Sequence, residues 1–154
     1  MLSDITAQKK GNQMKDNDHA TGAGWGTLAN ITEQYEKLTE TSNDLEPCDW
    51  AQEQPLSVCV RSWWTEVGKP MDAYEFQLLM ATGGPAVRIV GTLDEEMQPI
   101  ARSIRLEVQD WGTPWTPLNL MDNCKIDSDE DRIEQAQHRR DALEWFCFNF
   151  YYGD

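Results

Sequence analysis

Between Leu56 and Gln109 the chain repeatedly alternates apolar and polar residues, a pattern that only a half-buried sheet satisfies. The runs Leu56–Arg61, Tyr74–Leu78, Val87–Val90 and Ile104–Gln109 each have strand length. Gly83-Gly84, between Leu78-Leu79-Met80 and Val87-Arg88-Ile89-Val90, supplies the positive φ angles that a hairpin turn needs. No helical crossover separates the runs, so the expected sheet is a four-stranded antiparallel meander. The alternation assigns Leu56, Val58, Val60, Phe76, Leu78, Ile104, Leu106 and Val108 to the core face. Ser57, Arg61, Glu75, Gln77, Arg88, Arg105, Glu107 and Gln109 fall on the other face, where opposite charges on neighbouring strands form a mixed ladder in water.

Helical spacing brackets this sheet. From Gly24 to about Thr41, Trp25, Leu28, Ile31 or Thr32, Tyr35 and Leu38 recur at steps of three and four and define one apolar stripe. A short helix or turn is expected around Asp44 to Gln52, ending before Pro55. Near the C-terminus, Ser128 and Asp131 resemble a capping box, and Asp129 and Glu130 suit the positive end of a helix. Ile133, Ala136, Leu143, Phe146 and Phe150 then repeat with helical spacing. Trp145, Phe148, Tyr151 and Tyr152 make the end aromatic nearly all round, and Gly153 is the expected stop. Such an end belongs against the sheet or a partner, and leaves room for a dimer.

Residues 1–21 lack either period and read as a polar, disordered tail; residues 22–154 read as a single domain. The expected fold is α+β: a two-layer sandwich with an N-terminal and a C-terminal helix packed on one face of the meander.

Charge narrows the function. The 154 residues hold 27 acids against 13 Lys and Arg, a net charge of -14. Direct nucleic-acid binding requires clustered cations, and docking on an anionic membrane does too, so neither is expected. No apolar run approaches the ~18 residues of a spanning helix, and the polar start has no signal-peptide core. The expected location is the cytoplasm of a host cell. Cys48, Cys59, Cys124 and Cys147 form no close pairs, and read as reduced core residues rather than zinc ligands or disulfides.

Catalytic motifs are missing from the chain, and no cofactor is expected. His138, Arg139 and Arg140, or the arginines of the sheet, are the remaining candidates for an unfamiliar enzymatic site. Asp127, Asp129 and Asp131 open like a calcium loop, but Arg132 and His138 stand where Gly and Glu are required, so no metal is assigned.

Two features point to protein binding. Between residues 30 and 53, seven acids (Glu33, Glu36, Glu40, Asp44, Glu46, Asp49 and Glu53) face one lysine. Carboxylates on a rigid helix present negative charge much as phosphates do, and long-range attraction would draw them to a Lys- and Arg-lined channel. The tryptophans are the second feature. Trp63 and Trp64 adjoin the first strand, where they would cap an open end of the sheet or form a hot spot. Trp111 and Trp115 occupy a Gly- and Pro-rich loop suited to anchoring a partner.

Gly24-Trp25-Gly26-Thr27-Leu28, Pro55–Ser62, Thr82–Ile89, Gln109–Thr116 and Phe150-Tyr151-Tyr152-Gly153 together resemble a family of small acidic proteins of proteobacterial prophages and plasmids. The resemblance spans about residues 22–153. It implies an anti-defence role, anti-CRISPR or anti-restriction, and transfers no catalytic residue. The expectation is therefore a non-enzymatic protein that blocks the nucleic-acid site of a host defence complex. Glu33, Glu36, Glu40, Asp44, Glu46, Trp111 and Trp115 are its candidate contacts. The alternative is an adaptor acting through the Trp loop, with the charge serving solubility.

Overall fold

In a computed structural model, which describes residues 2–41, 48–124 and 128–153 (with side chains from residue 19 onward), the alternating runs pair in chain order. The strands β1 (Ser57–Ser62), β2 (Ala73–Ala81), β3 (Ala86–Thr92), β4 (Arg105–Gln109) and β5 (Thr116–Pro117) form one antiparallel sheet in the order β1-β2-β3-β4-β5. The described chain also holds three α-helices, α1 (Leu2–Thr41), α2 (Asp49–Glu53) and α3 (Asp129–Cys147), and one 3-10 turn (Ala101–Ser103) between β3 and β4. The protein is thus α+β with an antiparallel sheet.

The fifth strand corrects the expected count of four. Two residues long and half proline, it offers no alternation to read, and Pro117 is tolerated because it lies on the sheet's outer edge. The first helix also begins earlier than Gly24, since its backbone is helical from Leu2 through the residues read as a tail. The last helix ends at Cys147, well short of Gly153. Its start follows the sequence, because Ser128 Oγ accepts the Asp131 N–H at 3.2 Å.

Register places side chains on two faces. Val58, Leu78 and Ile89 stand in one row across β1, β2 and β3, and Val60 opposes Phe76. Phe76, Leu78, Val87, Ile89, Leu106 and Val108 are buried in one cluster with Leu28 and Ile31 of α1 and Leu143 and Phe146 of α3. Trp25, Tyr35 and Leu38 pack against that cluster. Ile133, expected on the same apolar stripe, is exposed.

The core stops one strand short of the edge. Leu56, Val58 and Val60 have core-facing parity, yet Val58 and Val60 are 42% and 45% exposed and Leu56 more so. Helix α1 packs on β3 and β4, two and three strands away from β1. The expectation that Trp63 and Trp64 cap the sheet also fails: they are 61% and 92% exposed. Register slips between Arg61 and Ser62, the ladder ends one pair later at Ser62 and Ala73, and Trp63 rests on Tyr74 with ring centroids 5.3 Å apart. The four cysteines are free thiols, but only Cys147 is buried; Cys59 is exposed on β1.

One close approach sets a packing limit. A Cβ on Gly91 would lie 2.7 and 2.8 Å from two atoms of the Phe76 ring, which is itself buried. Gly91→Ala should destabilise the fold by roughly 1–3 kcal/mol, the usual range for overpacking a tight core. Urea unfolding measures this; an unchanged midpoint would show that the Phe76 ring can give way.

Candidate binding surface

Three of the expected contact residues come together. Glu33, Glu36 and Glu40 follow one another at steps of three and four, which puts them on one exposed face of α1. Lys37 pairs with Glu33 at 3.2 Å, and His138 Nε2 of α3 meets Glu36 Oε1 at 2.9 Å. Asp44 and Glu46 lie outside the described residues.

Helix α3 adds a second row that sequence reading did not assign to the site. Glu130, Glu134, Gln137, Asp141 and Glu144 repeat at steps of three and four along its outward side. The same spacing rule would have found them. The two helices pack on each other. Besides the Glu36–His138 contact, Asp141 and Glu144 stand near Tyr35 of α1; burial first, and then these two charges, push the Tyr35 phenol above its ordinary value. The helices together present carboxylates from both elements across one seam.

Both tryptophans of the expected site lie away from this seam. Trp111 is 83% exposed, and its indole N–H donates to the Gly83 carbonyl at 3.2 Å, so it leans on the tip of the β2–β3 hairpin. Gly112, at φ 77°, allows the turn that projects it. Trp115 does not protrude. It is half-buried on the helix-free face, with the Arg88 guanidinium 4.2 Å from its ring centre.

That face carries the expected charge ladder. Arg88 Nε donates to Glu107 Oε1 at 2.8 Å and its Nη1 to Gln77 Oε1 at 3.0 Å, while Arg105 Nε reaches Glu107 Oε2 at 2.9 Å. Arg61 pairs with Glu75. Glu107 is buried beneath its two arginines instead of solvated. A depression of about 190 Å³ opens over these residues, floored by Gln77 and Val90 and walled by Arg61, Arg88 and Arg105.

The proposed enzymatic triplet is split. His138 turns to Glu36, whereas Arg139 turns inward and donates to the carbonyls of Leu120 and Asp122, both at 2.7 Å. Among the described residues, no three His, Cys, Asp or Glu side chains converge in a way that could hold a metal, and no helix is long and apolar enough to cross a membrane. Asp127 of the calcium-like spacing lies outside those residues. Compared with known protein families, with curated proteins and with solved structures, the chain has no significant match in any of the three.

Proposed function

We propose that this protein is a non-enzymatic, anti-defence inhibitor acting in the cytoplasm of a bacterial host. It places the acidic seam of α1 and α3 in the Lys- and Arg-lined nucleic-acid channel of a host defence complex, as an anti-CRISPR or anti-restriction protein would. The observation that supports this reading is the row of Glu33, Glu36 and Glu40 on α1, joined to α3 where Glu36 meets His138 and where Asp141 and Glu144 stand near Tyr35. With ~1.5 Å rise per residue, a carboxylate recurs about every 5 Å along α1. That is about one and a half times the ~3.4 Å axial spacing of charges along one DNA strand, so the helix presents a sparser line of the same sign. The helices fix the backbone that carries the carboxylates, so binding would have to order only their side chains.

The test is capture from bacterial lysate by the full chain, compared with a variant in which Glu33, Glu36, Glu40, Glu130 and Glu134 are all Gln. Wild type should retain a nucleic-acid-binding complex that added DNA or RNA displaces and salt releases. The variant should bind it roughly 100-fold more weakly, since five exposed pairs contribute ~0.2–1 kcal/mol each. Equal capture by the variant, or capture indifferent to salt, would end the mimicry reading.

The exposure of Trp111 favours one second reading, an adaptor that docks by this ring. Under it, Trp111→Ala abolishes capture and salt has little effect.

A further inference from the structure

Among the described residues, strand β1 is an open edge without the usual guards. Leu93 N–H donates to the Tyr74 carbonyl at 2.8 Å, and these residues extend the β2–β3 register. That fixes the hydrogen-bond phase: Tyr74, Phe76 and Leu78 turn their backbone groups to β3, and Glu75, Gln77 and Leu79 turn theirs to β1. Ser57, Cys59 and Arg61 oppose the latter three, so Val58 and Val60 aim their N–H and C=O groups away from the sheet. Edge strands are commonly protected by charge, proline or burial. From Gln54 to Thr65 the only charged residue is Arg61, already paired with Glu75. The valine side chains lie on the uncovered rim of the core, extended by Trp63 and Tyr74.

We propose that β1 is the two-fold seam of a homodimer, pairing antiparallel with β1 of a second copy so that the sheet continues across both. Charge selects this occupant. Each copy carries -14, so copies repel over most of their surface, yet residues 54–65 contain no carboxylate. A basic partner is drawn to the helices instead. Symmetry selects the register. With the axis at Cys59, Val58 of each copy faces Val60 of the other, and the two pairs exchange the backbone bonds that β2 leaves unused. Ser57 opposes Arg61, so no like charges meet. Cys59 faces its own copy in a non-bonded pair with Cα atoms about 4.5 Å apart. That is inside the ~4.4–6.8 Å that a disulfide spans. Exposed Trp63 and Trp64, at roughly 150–250 Å² per ring, bring the contact toward the area of a stable interface. The helix acids stay free, so the dimer stands or falls independently of the proposed inhibitor role.

Sedimentation of the full chain at ~0.05 M and ~1 M NaCl should show a dimer that tightens with salt, because screening relieves repulsion between the copies. Partner capture should weaken over the same range, which separates the two readings. Val60→Lys should weaken the dimer at least roughly tenfold, since it sets two charges at the seam, while leaving the urea midpoint unchanged in samples dilute enough that both proteins are monomeric. Diamide, taking up two electrons and two protons, should link the dimer through Cys59. Cys59→Ser should stay dimeric and resist linkage. Amide exchange should show Val58 and Val60 protected in the wild type. A monomer at both salts, a dimer indifferent to Val60→Lys, linkage through another cysteine, or freely exchanging Val58 and Val60 amides would each overturn the proposal.

Discussion

Arg139→Met should remove about 3–5 kcal/mol of unfolding free energy, because it leaves three carbonyls without their donor at roughly 1–3 kcal/mol each, offset in part by water. The guanidinium is buried on α3, yet its contacts are backbone carbonyls: Leu120 and Asp122 at 2.7 Å and Asn123 at 3.2 Å. It also lies 4.6 Å from the centre of the Trp25 ring on α1. One side chain thus joins α1, α3 and the segment after β5. Each charge-assisted bond contributes roughly 1.5–3 kcal/mol, and methionine keeps the length while leaving the carbonyls without their donor. Arg139→Lys should recover only part of the loss, because a single ammonium cannot span three carbonyls and stack on an indole. Urea unfolding followed by tryptophan fluorescence reads both variants. A loss below about 1 kcal/mol for Met would mean that water replaces the guanidinium at the carbonyls.

That residue shows what sequence could and could not locate. Three adjacent basic side chains, His138, Arg139 and Arg140, suggest a functional cluster. A helix nevertheless sends neighbours to different sides, and Arg139 falls on the buried face with Ala142, Leu143 and Phe146. Faces were legible wherever a period was: the alternation of β2, β3 and β4 separated buried Phe76, Leu78 and Leu106 from the arginine ladder. Edges were not, because alternation in β1 reports which way Val58 points and not whether a helix extends over it. The same limit explains the tryptophans. Composition marked them, but only the register slip after Arg61 shows why Trp63 leaves the sheet, and only the Arg88 contact shows why Trp115 does not project. Along α1 the acids Glu33, Glu36 and Glu40 could be placed on one face from spacing alone. The acids of α3 follow the same spacing, but that Asp141 and Glu144 lie beside α1 is seen only in the contacts of the two helices.

Stability should fall steeply above pH 10, and the cause lies where α3 ends. Cys147 is fully buried, and Tyr152 folds back so that its hydroxyl donates to the Cys147 carbonyl at 2.7 Å, with its ring 4.7 Å from that of Phe76. Burial, reinforced by Glu144, pushes the thiol far above its ordinary 9.0; burial, reinforced by Cys147, does the same to the phenol above its ordinary 10.0. Both groups therefore stay neutral in the folded chain at pH values where the unfolded chain has ionised them. Their contribution is complete below pH 9.0, begins to decline as the unfolded thiol titrates, and declines faster once pH passes 10.0. Each withheld ionisation lowers stability by ~1.4 kcal/mol per pH unit, so the two together give about 2.7 kcal/mol per unit in that upper window. Tyr152→Phe separates the contributions. It should lose about 1 kcal/mol at neutral pH with the hydrogen bond. It should also halve the alkaline slope to ~1.4 kcal/mol per unit, overtaking wild type between about pH 10.5 and pH 11. Urea titrations at successive pH values measure the slope directly. A wild-type stability that stays flat from pH 9 to 12 would mean that water reaches this corner, and that the aromatic end of α3 is far less closed than its contacts with Phe76 and Phe146 require.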